Sequence, residues 1–143
     1  MAAMPPASPA CPSPPLSHEG TLKVLQGKRF FLVEDDVLLL MSLQEIVQGW
    51  GCHVLAIAMT LEQACSLAAE HPYDFAVLDV NLQGEMVTPV AEMLAEREIP
   101  FVFTTGYGEP ILPAFADRPI VPKPYRADDL LAALSHVAKG GSA

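Results

Sequence analysis

Positive charge is scarce in this sequence: 8 Lys and Arg stand against 17 Asp and Glu, a formal net charge of −9. Nucleic-acid binding needs clustered Lys and Arg opposite the phosphates, so this deficit argues against it. It argues equally against docking on an anionic membrane surface. No apolar run approaches the ~18 residues of a membrane span. The N-terminus carries neither a basic segment nor an apolar stretch behind it, and so does not read as a secretory signal. Cysteine is sparse as well. Cys11, Cys52 and Cys65 form no CxxC pair. They suit the reduced thiols of a cytoplasmic protein better than a disulfide framework or a zinc site. Internal repeats are absent.

What is present is 143 residues, 51% of them hydrophobic, enough for one globular domain. Six of the 14 prolines fall in the first 15 residues, among Ala and Ser. Residues 1–26 therefore read as a flexible Pro/Ala-rich tail, and residues 27–143 as the domain. From Arg29 onward short apolar runs alternate with helical stretches. Arg29–Val33, His53–Ala58, Phe75–Leu78, Phe101–Thr104 and Ile120–Val121 read as strands. Helices are expected over Val37–Trp50, from Thr60 to His71, over Thr88–Glu98 and over Ala127–Lys139. Five such alternations imply βαβ units, a parallel sheet, and helices on both faces. The expected fold class is α/β: a flavodoxin-like (CheY-like) doubly wound sheet of five strands in the order 2-1-3-4-5. The stretch between Thr105 and Ile120 holds Pro110, Pro113 and Pro119. Proline inside a helix costs ~3 kcal/mol, so the fourth helix is expected to be short, irregular or missing.

In such sheets ligands gather at the carboxyl ends of the strands. There the sequence places Glu34-Asp35-Asp36 after strand 1, Asp79 after strand 3, Thr104-Thr105-Gly106 after strand 4 and Lys123-Pro124 after strand 5. Carboxylates held together repel one another unless they share a cation. With no His or Cys beside them, these hard oxygens point to Mg²⁺, or Mn²⁺. Lys123 and Thr105 are free to hold phosphoryl oxygens, and an Asp carboxylate can accept phosphate as an acyl phosphate. A plainer reading makes the acidic run a solvated helix cap, a part that suits Asp36. His18, His53, His71 and His136 show no ligand spacing.

Four motifs in order, each at its own strand end, resemble the receiver domain of bacterial two-component response regulators: Val33-Glu34-Asp35, Phe75–Asp79, Thr105-Gly106 and Lys123-Pro124-Tyr125. The resemblance covers residues 28–139. It implies that Asp79 is the phosphoacceptor, and that Thr105 and Lys123 are the switch hydroxyl and the family's lysine. It further implies Mg²⁺ on Glu34, Asp35, Asp79 and the backbone carbonyl of Asn81, and a cis Lys123-Pro124 bond. The partner it implies is a histidine kinase or phosphotransfer protein. It also implies a phosphorelay signalling protein rather than a turnover enzyme. Asp79-Val80-Asn81-Leu82-Gln83-Gly84-Glu85 and Phe103-Thr104-Thr105-Gly106-Tyr107-Gly108 resemble the single-domain FATGUY subgroup of alphaproteobacteria. That subgroup is associated with HWE and related kinases and with general stress signalling.

One departure stands out. Receivers usually carry Tyr or Phe three residues before the lysine, and here that position is Ile120, which cannot act as an aromatic gate. Tyr107, between Gly106 and Gly108, is the substitute candidate for the switch. Residues 106–119 are then expected to be the loosest part of the domain. Only four residues follow Lys139, so output is expected through protein contacts, or as a phosphate sink on a shared kinase. One alternative is a haloacid-dehalogenase-like phosphatase, but that class wants Asp-x-Asp where this chain has Asp79-Val80-Asn81. The other is a pseudo-receiver that binds partners without phosphate.

Overall fold

β-branched and aromatic residues fill the strand runs and leave no polar face, the pattern of a sheet covered on both sides. The computed structural model describes residues 17–106 and 113–138. In chain order the elements are α1 (His18–Leu25), β1 (Arg29–Val33), α2 (Val37–Gly49), β2 (His53–Ala58), α3 (Leu61–Ala68) and β3 (Phe75–Asp79). A small hairpin, β4 (Asn81–Leu82) and β5 (Glu85–Met86), precedes α4 (Thr88–Glu96) and β6 (Phe101–Thr105). A single 3₁₀ turn (Pro113–Phe115), β7 (Ile120–Pro122) and α5 (Ala127–Ala138) complete the fold.

The main sheet is parallel, in the order β2-β1-β3-β6-β7, which is the expected 2-1-3-4-5 arrangement with the hairpin strands set aside. Alternate side chains feed two cores. Phe31, Leu78, Phe101 and Phe103 face α3 and α4. Phe30, Leu32, Val77 and Val102 face the other side, with α1, α2 and α5. β7 is an edge strand, which tolerates Pro119 and Pro122 at its ends. Among the described residues no helix is long and apolar enough to cross a membrane.

The flexible tail expected over residues 1–26 needs correcting from Ser17 onward. Ser17 caps α1 by accepting from the Gly20 N–H at 3.0 Å. Thr21 and Leu25, one turn apart, are fully buried, and α1 packs on α5. The proline-rich composition of the preceding stretch masked this i, i+4 pair. Gly27, at φ 76°, turns the chain from α1 into β1. Smaller differences lie at helix ends: α3 stops at Ala68 and α4 at Glu96, short of the expected His71 and Glu98.

The segment before β7 is better anchored than its prolines suggest. As expected, only a 3₁₀ turn stands among its described residues. Its Phe115 is 8% exposed and packs against Phe101 and Phe103, with ring centroids 5.8 and 6.1 Å apart. Arg118 lies 4.3 Å above the Phe101 ring, a cation–π contact. Phe115 and Arg118 thus tie residues 113–119 to the core at two points. The first half of the segment, residues 107–112, lies outside the described residues.

Candidate functional site

Four strands of the main sheet, β1, β3, β6 and β7, each deliver one group to the same edge. β1 runs straight into Glu34, whose N–H bonds the Ala58 carbonyl of β2 at 3.1 Å, so the residue continues the sheet although it is acidic. Asp79 ends β3, in register with Thr104 of β6. Thr105 ends β6, and its carbonyl accepts the Lys123 N–H at 2.7 Å. That bond ties the residue after β7 to the end of β6. Lys123-Pro124 is cis.

The side chains converge. Lys123 Nζ donates to Asp79 Oδ2 at 2.9 Å and lies 3.0 Å from Glu34 Oε1 and 3.2 Å from Oε2. The Glu34 and Asp79 side chains are 1% and 2% exposed, so this ion-pair cluster is nearly sealed. Carboxylate oxygens of Glu34, Asp35 and Asp79 lie within 4.8 Å of one another, with Asp35 half-buried at the rim. Three acids against one ammonium leave a negative excess of hard oxygen donors. That donor set suits a divalent cation such as Mg²⁺.

The electrostatics follow from burial. Desolvation, then the charge of Asp79, pushes Glu34 up to about 7 against the pull of Lys123. Burial likewise raises Asp79, and the Lys123 hydrogen bond only partly offsets this. For Lys123 burial works against the charged form, yet its bonds to Asp79 and Glu34 win and its pKa rises. The ammonium is firmly protonated and shared between two acids.

Asp36 is the cap of α2, accepting from the N–H groups of Leu38 and Leu39 at 2.9 and 3.2 Å, and it stands outside the acidic cluster. Asn81 follows Asp79 and donates its backbone N–H to Asp79 Oδ1 at 3.3 Å. Thr105 is buried beside the cluster at the end of β6. Ile120 is half-buried, opposite Phe103 in register, and packs on the Phe103 and Phe115 core. It fills space and offers no polar handle. Tyr107 lies outside the described residues. Reasoning from sequence missed two participants. The Gln83 N–H donates to Asp35 Oδ2 at 2.9 Å from the hairpin turn. The Tyr125 hydroxyl is buried without a partner among the described residues. Burial, then the charge of Glu34, pushes its pKa up to about 12. The only signal for Tyr125 was its place two residues after the lysine.

A model of the response regulator receiver domain matches residues 30–135. The chain belongs to the response regulator receiver family. As a receiver it is part of two-component signalling. Among curated proteins it is similar to the phyllosphere-induced regulator PhyR of Methylorubrum extorquens, 28% identical over 109 residues, 73% of this chain and 41% of that one. The receiver spans less than half the length of the curated relatives it matches. Among solved structures it resembles SdrG from Sphingomonas melonis Fr1, at 37% identity and a TM-score of 0.70, over 78% of this chain and 95% of that one. It also resembles the response regulator PhyR from Brucella abortus, at 25% identity and a TM-score of 0.70, over 87% and 53% of the two chains.

Proposed function

We propose that this receiver takes a phosphoryl group onto Asp79 from a phosphohistidine of a kinase or phosphotransfer protein, with Mg²⁺ as cofactor. The observation that carries the reading is the ammonium of Lys123, 2.9 Å from Asp79 and 3.0 Å from Glu34, at an edge where three carboxylates converge. Glu34, Asp35 and Asp79, with the Asn81 carbonyl, are the residues to hold the cation. When bound, Mg²⁺ supplies positive charge that offsets the acids and the incoming phosphoryl oxygens.

The chain's own groups then divide the work. An Asp79 carboxylate oxygen attacks phosphorus; the new P–O bond forms as the P–N bond to the donor imidazole breaks, and the imidazole leaves. Lys123 turns its N–H donors from Asp79 toward a phosphoryl oxygen while keeping Glu34, and the Thr105 hydroxyl takes another. Val37, Leu38 and Met41 are exposed apolar side chains at the start of α2, just after the acidic run, and suit contact with a protein donor. Output through a protein contact is supported by a groove of about 800 Å³ between β7 and α5, lined by Ile120, Val121, Pro124, Ala132 and His136. A phosphate sink on a shared kinase is the competing mode of output. The compartment that fits is the cytoplasm.

Incubation with acetyl phosphate tests the reading. Labelling of the parent protein that needs Mg²⁺ and is absent in Asp79→Asn is the expected result. Equal labelling of both proteins, or labelling unaffected by chelator, refutes it.

A further inference from the structure

We propose that the β4–β5 hairpin, closed by the Asn81 carboxamide, is a positioning device that aims Asp35 at the cation. The inference rests on the metal reading above and assigns a role to the Asn81 carboxamide and the Gln83 N–H, which this reading leaves idle. Glu34 and Asp79 are both fixed by Lys123. Asp35 has no such anchor: among the described residues its carboxylate accepts one hydrogen bond, from the Gln83 N–H at 2.9 Å. Beside two other carboxylates, an Asp free at χ1 and χ2 turns outward to water. The Gln83 bond occupies one oxygen and leaves the other for a cation. Ligating carboxylates characteristically carry such an outer hydrogen-bond partner.

The hairpin is built to present that N–H. Gln83 sits at φ 53° and Gly84 at φ 90°, the paired positive values of a two-residue turn whose twist matches its strands. Asn81 Oδ1 accepts the Gly84 N–H at 2.7 Å and locks the turn from inside. The Val87 N–H bonds the Val80 carbonyl at 2.9 Å and closes the base of the hairpin. Asn81 also donates its backbone N–H to Asp79, so a single residue ties the hairpin to the phosphoacceptor and, through the turn, to Asp35. Gln83 is exposed, so its side chain is not what matters; its backbone conformation is. A β-branched residue resists that conformation, whereas glycine adopts it freely.

Four variants separate the possibilities: Asn81→Ala, Gln83→Val, Gln83→Gly and Asp35→Ala. Mn²⁺ and Mg²⁺ affinity is measured by titration, melting temperature in chelator, and exchange of the Gln83 amide by NMR. Asn81→Ala and Gln83→Val are expected to bind the cation about 10–100-fold more weakly, the size found for lost outer-shell partners. Their melting temperature in chelator is expected to fall by no more than the few degrees that strain or loosening of one turn costs. Gln83→Gly is expected to bind like the parent, and Asp35→Ala to unprotect the Gln83 amide. If Asn81→Ala does not fold, the Gln83 pair decides alone. Parent-like affinity in Gln83→Val overturns the inference and leaves the metal reading standing. A parent protein that binds neither cation overturns the metal reading, and the inference with it.

Discussion

Replacing Lys123 with Met removes the single cation shared by two nearly sealed carboxylates. At an effective dielectric near 20, unit charges 2.9 and 3.0 Å apart attract by about 6 kcal/mol each. Dehydrating the three groups offsets much of this, so the intact cluster adds little to stability. Deleting one partner is another matter, because Glu34 and Asp79 then keep their dehydration and lose their counter-charge. Such deletions cost about 3–5 kcal/mol. Glu34 already stands near 7, so it takes up a proton and cushions the loss at neutral pH. The expected destabilisation without metal is therefore about 3 kcal/mol, the low end of that range. Urea denaturation of Lys123→Met in chelator measures it. Two further results belong to the same logic. Mg²⁺ restores part of the lost stability by replacing the missing charge. Asp79→Asn added to Lys123→Met also recovers part, because one stranded carboxylate is gone. A loss under about 1 kcal/mol, no more than an ordinary exposed pair explains, refutes the reasoning.

Other outcomes can be checked alongside. Phe115→Ala empties a buried aromatic position beside Phe101 and Phe103 and is expected to cost about 3–5 kcal/mol in chemical denaturation; parent-like stability would show that the 3₁₀ turn is not held by that ring. Asp35→Asn keeps the fold but loses the Mg²⁺-induced rise in melting temperature, and a rise as large as in the parent contradicts its role as a ligand. Burial works to raise Asp74, but the Arg29 side-chain and backbone hydrogen bonds win and hold it below its ordinary value. Its contribution is thus present above the unfolded carboxyl pKa and lost as pH falls through the folded one. Asp74→Asn should then be less stable than the parent at neutral pH and level with it in strong acid; a gap that persists in acid counts against the pairing.

The sheet was legible because its signal is composition over length: five short apolar runs, spaced by helix-length segments, admit few topologies. The convergence of Glu34, Asp79, Thr105 and Lys123 followed from that, since strand ends of a parallel sheet share one edge. What escaped the sequence was conformational. The hairpin depends on positive φ at Gln83, a residue with no turn preference of its own, and so the bond to Asp35 was invisible. α1 was hidden by the prolines that precede it. Phe115 showed one aromatic among breakers, and only the fold brings Phe101 and Phe103 within its reach. Asn81 was read for its carbonyl, while its carboxamide closes a turn.

The central claim is that Asp79 itself becomes an acyl phosphate. Borohydride reduction tests it most directly, because it converts a phosphorylated aspartate to homoserine and leaves a free carboxylate alone. Protein treated with acetyl phosphate and Mg²⁺ is reduced, digested and read by mass spectrometry. Homoserine is expected at position 79, and none when chelator replaces Mg²⁺. An unaltered Asp79 in protein that carries phosphate at another residue contradicts it.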